Sequence, residues 1–132
     1  MSEELKSIEF ENNTYKYGAE WTKHLESYEH WGFYWFQQKI MDGFTTSNKH
    51  ESILEIGVGS GFTANYCKNK GFEVTTLDID EDKKPDILAN AANYEFKKKY
   101  DHLMAFEFLE HIPFKESQKI IKKIPTFVKK YA

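Results

Sequence analysis

The sequence predicts an α/β fold: a Rossmann-like, doubly wound parallel sheet with strand order 3-2-1-4, accompanied by an N-terminal helical layer. Three observations carry that prediction. From residue 51 onward, short apolar runs of strand length alternate with helix-length amphipathic runs, the rhythm that builds a parallel sheet through right-handed crossovers. The first of these runs, Ile53-Leu54-Glu55-Ile56, leads into a comb of glycines at Gly57, Gly59 and Gly61, and reads as a buried strand entering a tight turn that opens a helix. The second, Glu73-Val74-Thr75-Thr76-Leu77, ends in an acid, Asp78, 23 positions after Glu55.

Residues 1–50 read as an aromatic-rich helical segment packing on the same domain. The apolar positions Trp21, Leu25, Tyr28, Trp35, Ile40 and Phe44 fall mostly at helical spacing, and no strand-like run there exceeds a few residues. Gly32 divides this stretch into two helices, and residues 45–49 form a flexible connection. Residues 51–132 read as the ligand-binding part. Strands are expected at 52–56, 73–77, 86–89 and 102–106, and helices at 62–70, 91–98 and 115–123, with Gly71 ending the first of these helices in a left-handed conformation. In such a sheet, ligands bind at the carboxyl ends of the strands.

Composition narrows the function classes. A chain of 132 residues is one domain at most, and its 40% hydrophobic and 17% aromatic content suffices for a core. No apolar run approaches the roughly 20 residues that cross a bilayer, and the start, Met1-Ser2-Glu3-Glu4, lacks the pattern of a signal peptide. The expected location is therefore cytoplasmic, without a membrane partner. Cys67 is the single cysteine, which rules out an internal disulfide and reads as a reduced, half-buried thiol. The net charge is -3, and all 18 basic residues are lysine. The absence of arginine, the usual fork for phosphates and base edges, argues against a nucleic-acid partner. Lys97, Lys98 and Lys99 read as a solvated helix end.

The glycine spacing selects among nucleotide ligands. A dinucleotide turn has the pattern G-x-G-x-x-G, whereas here the third glycine comes one residue early, and no Gly-Lys-Ser/Thr follows to make a phosphate loop. The turn points instead to another nucleoside-containing ligand, S-adenosyl-L-methionine. An acid at the tip of the neighbouring strand, Asp78, can accept both hydroxyls of a ribose. Asp78 and Asp80 have an alternative use, capping the turn that follows.

A third feature follows the fourth strand, where Phe106-Glu107-Phe108-Leu109-Glu110-His111-Ile112-Pro113 gathers two acids and a histidine at a carboxyl strand end. With these residues the chain resembles the class I S-adenosylmethionine-dependent methyltransferases: Glu55 to Gly61 match their first motif, Asp78 their ribose-binding acid, and Tyr100-Asp101 with Leu109 to Pro113 their fourth-strand region. The resemblance covers residues 51–124. It implies that Gly57, Gly59 and Gly61 pack against the methionine part of the cofactor, and that Glu55 orients the turn and meets the ammonium. Asp78 would hold the ribose and Ile79 would lie beside the adenine. Asn90 stands where many relatives place an acid that reaches the adenine amino group, and an amide accepts that bond too. Phe106 and Glu107 would line the pocket near the sulfonium, and Glu107 and His111 are the candidate catalytic residues.

Glu107, Glu110 and His111 also resemble the divalent-metal site of methyltransferases acting on small-RNA 3′ ends and of some quinone-biosynthesis relatives, since two carboxylates and an imidazole suit such a cation. The alternative is a metal-free site in which His111 serves as a base or fixes the loop. Trp21, Trp31, Tyr34, Trp35 and Phe36 read as core packing with a second use as a lid. Tyr15 and Tyr17 are the better candidates for cofactor contact.

The family sheet continues through a fifth parallel strand, which is expected to be missing here because the chain stops at Ala132 just past Pro125. The fourth strand would then be an unpaired edge that an oligomer or a partner covers, and the chain would be part of a longer protein or a shortened one. Activity of this chain alone is expected to be weak. The functional expectation is methyl transfer from S-adenosylmethionine to a small-molecule acceptor. The alternatives are a non-catalytic cofactor-binding or scaffold subunit, and a metal-dependent RNA 2′-O-methyltransferase.

Overall fold

The computed structural model describes residues 5–18, 26–45 and 50–132. Five parallel strands form the central sheet: β3 (Ser52–Ile56), β4 (Glu73–Asp78), β5 (Ile87–Leu88), β6 (Tyr100–Met104) and β7 (Val128–Tyr131), in the order β5-β4-β3-β6-β7. The expected order 3-2-1-4 is present and continues by one strand. Helices α1 (Tyr28–Thr45), α2 (Phe62–Asn69) and α3 (Phe114–Phe127) cover the sheet. Because alternate strand residues point to opposite faces, Leu54 and Ile56 join Leu77, Leu103, Ile120 and Phe127 under α3, while Ile53 packs with Met41, Cys67 and Met104 under α1 and α2. Glu55 shares the Ile53 side by the same alternation. Gly71 ends α2 at φ 96° as expected, with the Phe72 and Gly71 amides donating to the Cys67 and Lys68 carbonyls.

Several elements depart from expectation, each for a visible reason. The N-terminal segment carries an antiparallel hairpin, β1 (Leu5–Phe10) with β2 (Asn13–Gly18), joined by Glu11 and Asn12 at φ 48° and 65°. Two consecutive positive φ values mark the primed turn that matches strand twist. Helix α1 runs straight through Gly32, which faces open space. Trp21, Leu25 and the connection at 46–49 lie outside the described residues.

No helix forms at 91–98. The Lys123 ammonium on α3 instead donates to the carbonyls of Ala91, Ala92 and Tyr94, at 3.2, 3.3 and 2.5 Å, which a helix would have used internally. Phe96 stacks on Phe127 at 4.0 Å, fixing the segment as irregular chain. The fourth parallel strand, β6, begins two residues earlier than expected, because the Asp101 carboxylate accepts from the Ser52 amide and hydroxyl at the start of β3.

The expected unpaired fourth-strand edge is absent, since β7 pairs in parallel with β6. Pro125 lies in the last turn of α3, where its missing N–H costs one bond without stopping the helix before Phe127. β7 is fastened beneath the sheet by Glu51, whose carboxylate accepts from Lys130 and bonds the buried His102 ring, and Tyr131 lies parallel to that ring at 5.7 Å. Those bonds hold the Glu51 carboxyl below its usual range, Lys130 first and His102 second. Among the described residues, no helix is long and apolar enough to cross a membrane.

Candidate active site

A cavity of about 440 Å³ opens at the carboxyl ends of β3, β4 and β6, within the size range of small-molecule sites. Its floor is the turn after β3. The Gly57 amide extends the ladder to the Leu77 carbonyl at 2.9 Å, and the Gly61 amide closes the turn on the Val58 carbonyl at 2.9 Å. Gly57 has φ 84°, and a Cβ there would meet the Phe108 ring at 3.0 Å, so glycine is required both by conformation and by space.

Glu55, the last residue but one of β3, is among the residues that line the cavity. It is 4% exposed, and its Oε2 has no hydrogen-bond partner. Burial first, and the nearby Asp78 charge second, push this carboxyl from its ordinary 4.5 to about 8. Asp78 stands across the turn. Its Oδ2 accepts from the Val58 amide at 2.8 Å and its Oδ1 from the Asp80 amide at 2.9 Å, which fixes the carboxylate while each oxygen keeps a free lone pair. Capping falls to its neighbour: Asp80 accepts from the Asp82 amide to open a short 3-10 turn.

The N-terminal hairpin roofs the cavity and contributes Leu5, Tyr15, Lys16, Tyr17 and Gly18. Lys6 donates to both Asp80 oxygens at 2.9 Å and to Asp82 at 2.7 Å, and Tyr17 donates to Asp80. Lys83 lies over the Tyr17 ring at 4.5 Å and 3.7 Å from Asp78. At the other end of the hairpin, Tyr15 donates to the Glu116 carboxylate at 3.0 Å and accepts from Asn90 at 2.7 Å. Burial and Glu116 push the Tyr15 hydroxyl up to about 12.

Of the residues expected from sequence, Glu55, Gly57, Gly59, Asp78, Ile79, Phe106, Glu107 and His111 line this one cavity. Gly61 lies behind it as the residue that opens α2 at φ 81°. Asn90 does not line it: the side chain is buried, its amide donates to Tyr15, and its oxygen accepts from the Ala92 amide at 3.0 Å. Glu110 is likewise outside the lining. Among the described residues, no three His, Cys, Asp or Glu side chains are placed to hold a metal ion, so the cation reading of Glu107, Glu110 and His111 finds no assembled site.

Of the aromatics, Tyr34 lines the cavity and stacks on Phe62 at 5.5 Å. Trp31 and Trp35 pack edge-on against Phe62 and Tyr66, and Phe36 is 63% exposed. Tyr34, Gln37 and Lys83 are lining residues that no short motif announces, because tertiary packing alone brings them there. Cys67 is buried, and burial followed by the Glu55 charge pushes its thiol up to about 12, which makes it inert.

Residues 28–130 match a methyltransferase-domain family. The chain belongs to that family. Its architecture is that of the class I S-adenosylmethionine-dependent methyltransferases, whose methyl donor is S-adenosylmethionine. Over 92 residues the chain is 32% identical to ribosomal RNA small subunit methyltransferase A of Mesomycoplasma hyopneumoniae, covering 69% of this chain and 33% of that protein. The chain thus spans about a third of the length of the curated relative it matches. The crystal structure of PH0226 protein from Pyrococcus horikoshii OT3 superposes with a TM-score of 0.66 at 18% identity, covering 78% of this chain and 55% of that one. At that identity the likeness speaks for the fold alone.

Proposed function

We propose that this chain binds S-adenosylmethionine in the 440 Å³ cavity and transfers its methyl group to a small-molecule acceptor. The observation that carries the reading is Glu55: a buried carboxyl with one unpartnered oxygen, in a residue that lines the cavity beside a glycine turn, suits the ammonium of an amino acid. When bound, S-adenosylmethionine supplies a methyl group made electrophilic by a sulfonium. The chain's own residues bind and orient. Gly57 and Gly59 let the backbone approach closely, Asp78 holds a ribose through the lone pairs its two amide donors leave free, and Ile79 packs beside the base. Phe106 and Glu107 flank the reacting centre, and His111 takes the proton that an acceptor hydroxyl or amine gives up.

The small-molecule acceptor is supported by the roof, since the hairpin encloses the donor side of the cavity. RNA is the second reading, and the observation in its favour is the ribosomal RNA named for the 32% identical relative.

Calorimetric titration with S-adenosylhomocysteine tests the pocket. Asp78→Ala is expected to lose more than about tenfold in affinity, from charged hydrogen bonds worth about 1.5–3 kcal/mol, and Gly59→Val to weaken binding as well. Unchanged affinity in both variants would refute the placement. Radiolabelled methyl transfer into a small-molecule fraction and into ribosomal RNA then separates the acceptors, and binding without transfer to either returns the non-catalytic reading.

A further inference from the structure

A second cavity, also of about 440 Å³, adjoins the first and shares Phe106 with it. It lies at the same end of the sheet, since Met104 and Tyr131 are the last residues of β6 and β7. Helix α1 serves both: Tyr34 and Gln37 face the donor cavity, and one to two turns later Ile40, Met41 and Phe44 line the second. The short 3-10 turn Leu109–His111 is divided in the same way, with Leu109 in the second cavity and His111 in the first.

The chemistry of the two cavities differs sharply. The first holds carboxylates, lysines and a histidine, whereas the second is lined without any charged side chain, Tyr131 bringing its only side-chain hydroxyl. An anionic occupant would lose hydration there and meet no cationic side chain. An apolar one gains about 0.8 kcal/mol for each methylene removed from water.

We propose that the second cavity seats the methyl acceptor's body, an uncharged alkyl or aryl group. Its nucleophilic atom is then presented past Phe106 toward Glu107 and His111. The inference rests on the reading of the first cavity as the donor site. Ile40 and Phe44, 50% and 53% exposed at the rim, leave room for a chain to extend along α1.

The test is calorimetric titration of the 132-residue chain with phenol, 4-propylphenol and 4-hexylphenol, each with and without S-adenosylhomocysteine, and with 4-hydroxybenzoate as the charged comparator. Affinity is expected to rise by about fourfold per methylene, the fold-change that corresponds to the transfer value, with 4-hydroxybenzoate weaker than phenol. Ile124→Asp at the inner wall should flatten the series. Phe44→Ser at the exposed rim should shorten it, and decides the matter if Ile124→Asp does not fold. A flat series in the wild type overturns the proposal. So does a slope that survives both variants, which would place the alkyl chain on the exposed aromatics of α1, or sedimentation showing that a second copy covers the cavity. If S-adenosylhomocysteine itself fails to bind, the donor reading falls, while the alkyl series in its absence still reports on the second cavity.

Discussion

The floor and the roof of the first cavity are built by opposite means. The floor is the end of β3 and β4, where Ile53, Leu54 and Ile56 are fully buried and β3 is flanked by parallel strands on both sides. The roof is a two-stranded hairpin outside the five-stranded sheet, fastened to it by side chains: Lys6 and Tyr17 on Asp80, Tyr15 on Glu116 and Asn90, and Asn93 on Glu11. Burial fixes atoms to within a fraction of an ångström. Ion pairs near the surface hold more weakly and answer to salt. On the proposed function, recognition falls to the floor and access to the roof.

The largest effect is expected from breaking the floor. Gly57→Val forces a branched side chain into a left-handed backbone and against Phe108, which costs about 1–3 kcal/mol in strain alone. Urea unfolding should shift by that amount, and affinity for S-adenosylhomocysteine should fall by more than about a hundredfold, as the turn can no longer close. Wild-type affinity in this variant would mean that the floor does not do the recognising.

Glu55→Gln sharpens the comparison through pH. The folded carboxyl, at about 8, lies above its ordinary 4.5, so the folded state prefers the protonated form. The stability this confers is complete below pH 4.5 and is lost as the pH climbs toward 8. The variant should therefore be the more stable of the two above pH 4.5, with the gap growing by at most about 1.4 kcal/mol per pH unit. Donor binding selects the ionised form, so at pH 6 to 7 the wild type should release close to one proton, read from calorimetry in buffers of different ionisation enthalpy. Glu55→Gln should release none.

Loosening the roof should do less. Combining Lys6→Ala with Tyr17→Phe removes the latch on Asp80, and dissociation of S-adenosylhomocysteine should accelerate by about three- to tenfold, with little change in the urea midpoint. Sodium chloride at high concentration should speed release from the wild type and leave the double variant indifferent. The smallest effect is expected at β7. Lys130→Ala leaves Glu51 bonded to His102, so amide exchange at Tyr131 should quicken by about two- to fivefold, while the donor cavity is untouched.

The floor was legible in the sequence because its signals are local. An apolar run, a glycine comb and an acid at the next strand tip are all read between Ile53 and Asp78, and Glu55 through Asp78 fall where that spacing puts them. The roof was not, because Lys6, Ile8 and Phe10 alternate with Leu5, Ser7 and Glu9 too polarly to stand out, and only Asn12 at the turn marks the hairpin. The segment at 91–98 has the local pattern of a helix and is irregular for a long-range reason, the capture of its carbonyls by Lys123. β7 carries no local strand signal because Val128-Lys129-Lys130-Tyr131 holds two lysines in four residues, and its pairing depends on Glu51, far away in sequence. Asn90 occupies the expected place in the chain but gives its amide to Tyr15, a partner that exists only because the hairpin does.

No residue intervenes between the end of α3 at Phe127 and the start of β7 at Val128. Length at that junction is consequently indivisible. One extra residue within α3 would turn everything after it by about 100°, and one placed in β7 would exchange the two sides of the strand, carrying Tyr131 off the His102 ring. The irregular stretch around Lys97 and Lys99 has no such constraint, since both are exposed and belong to no ladder. Insertions and deletions drifting through this gene would be absorbed at the second place and purged at the first.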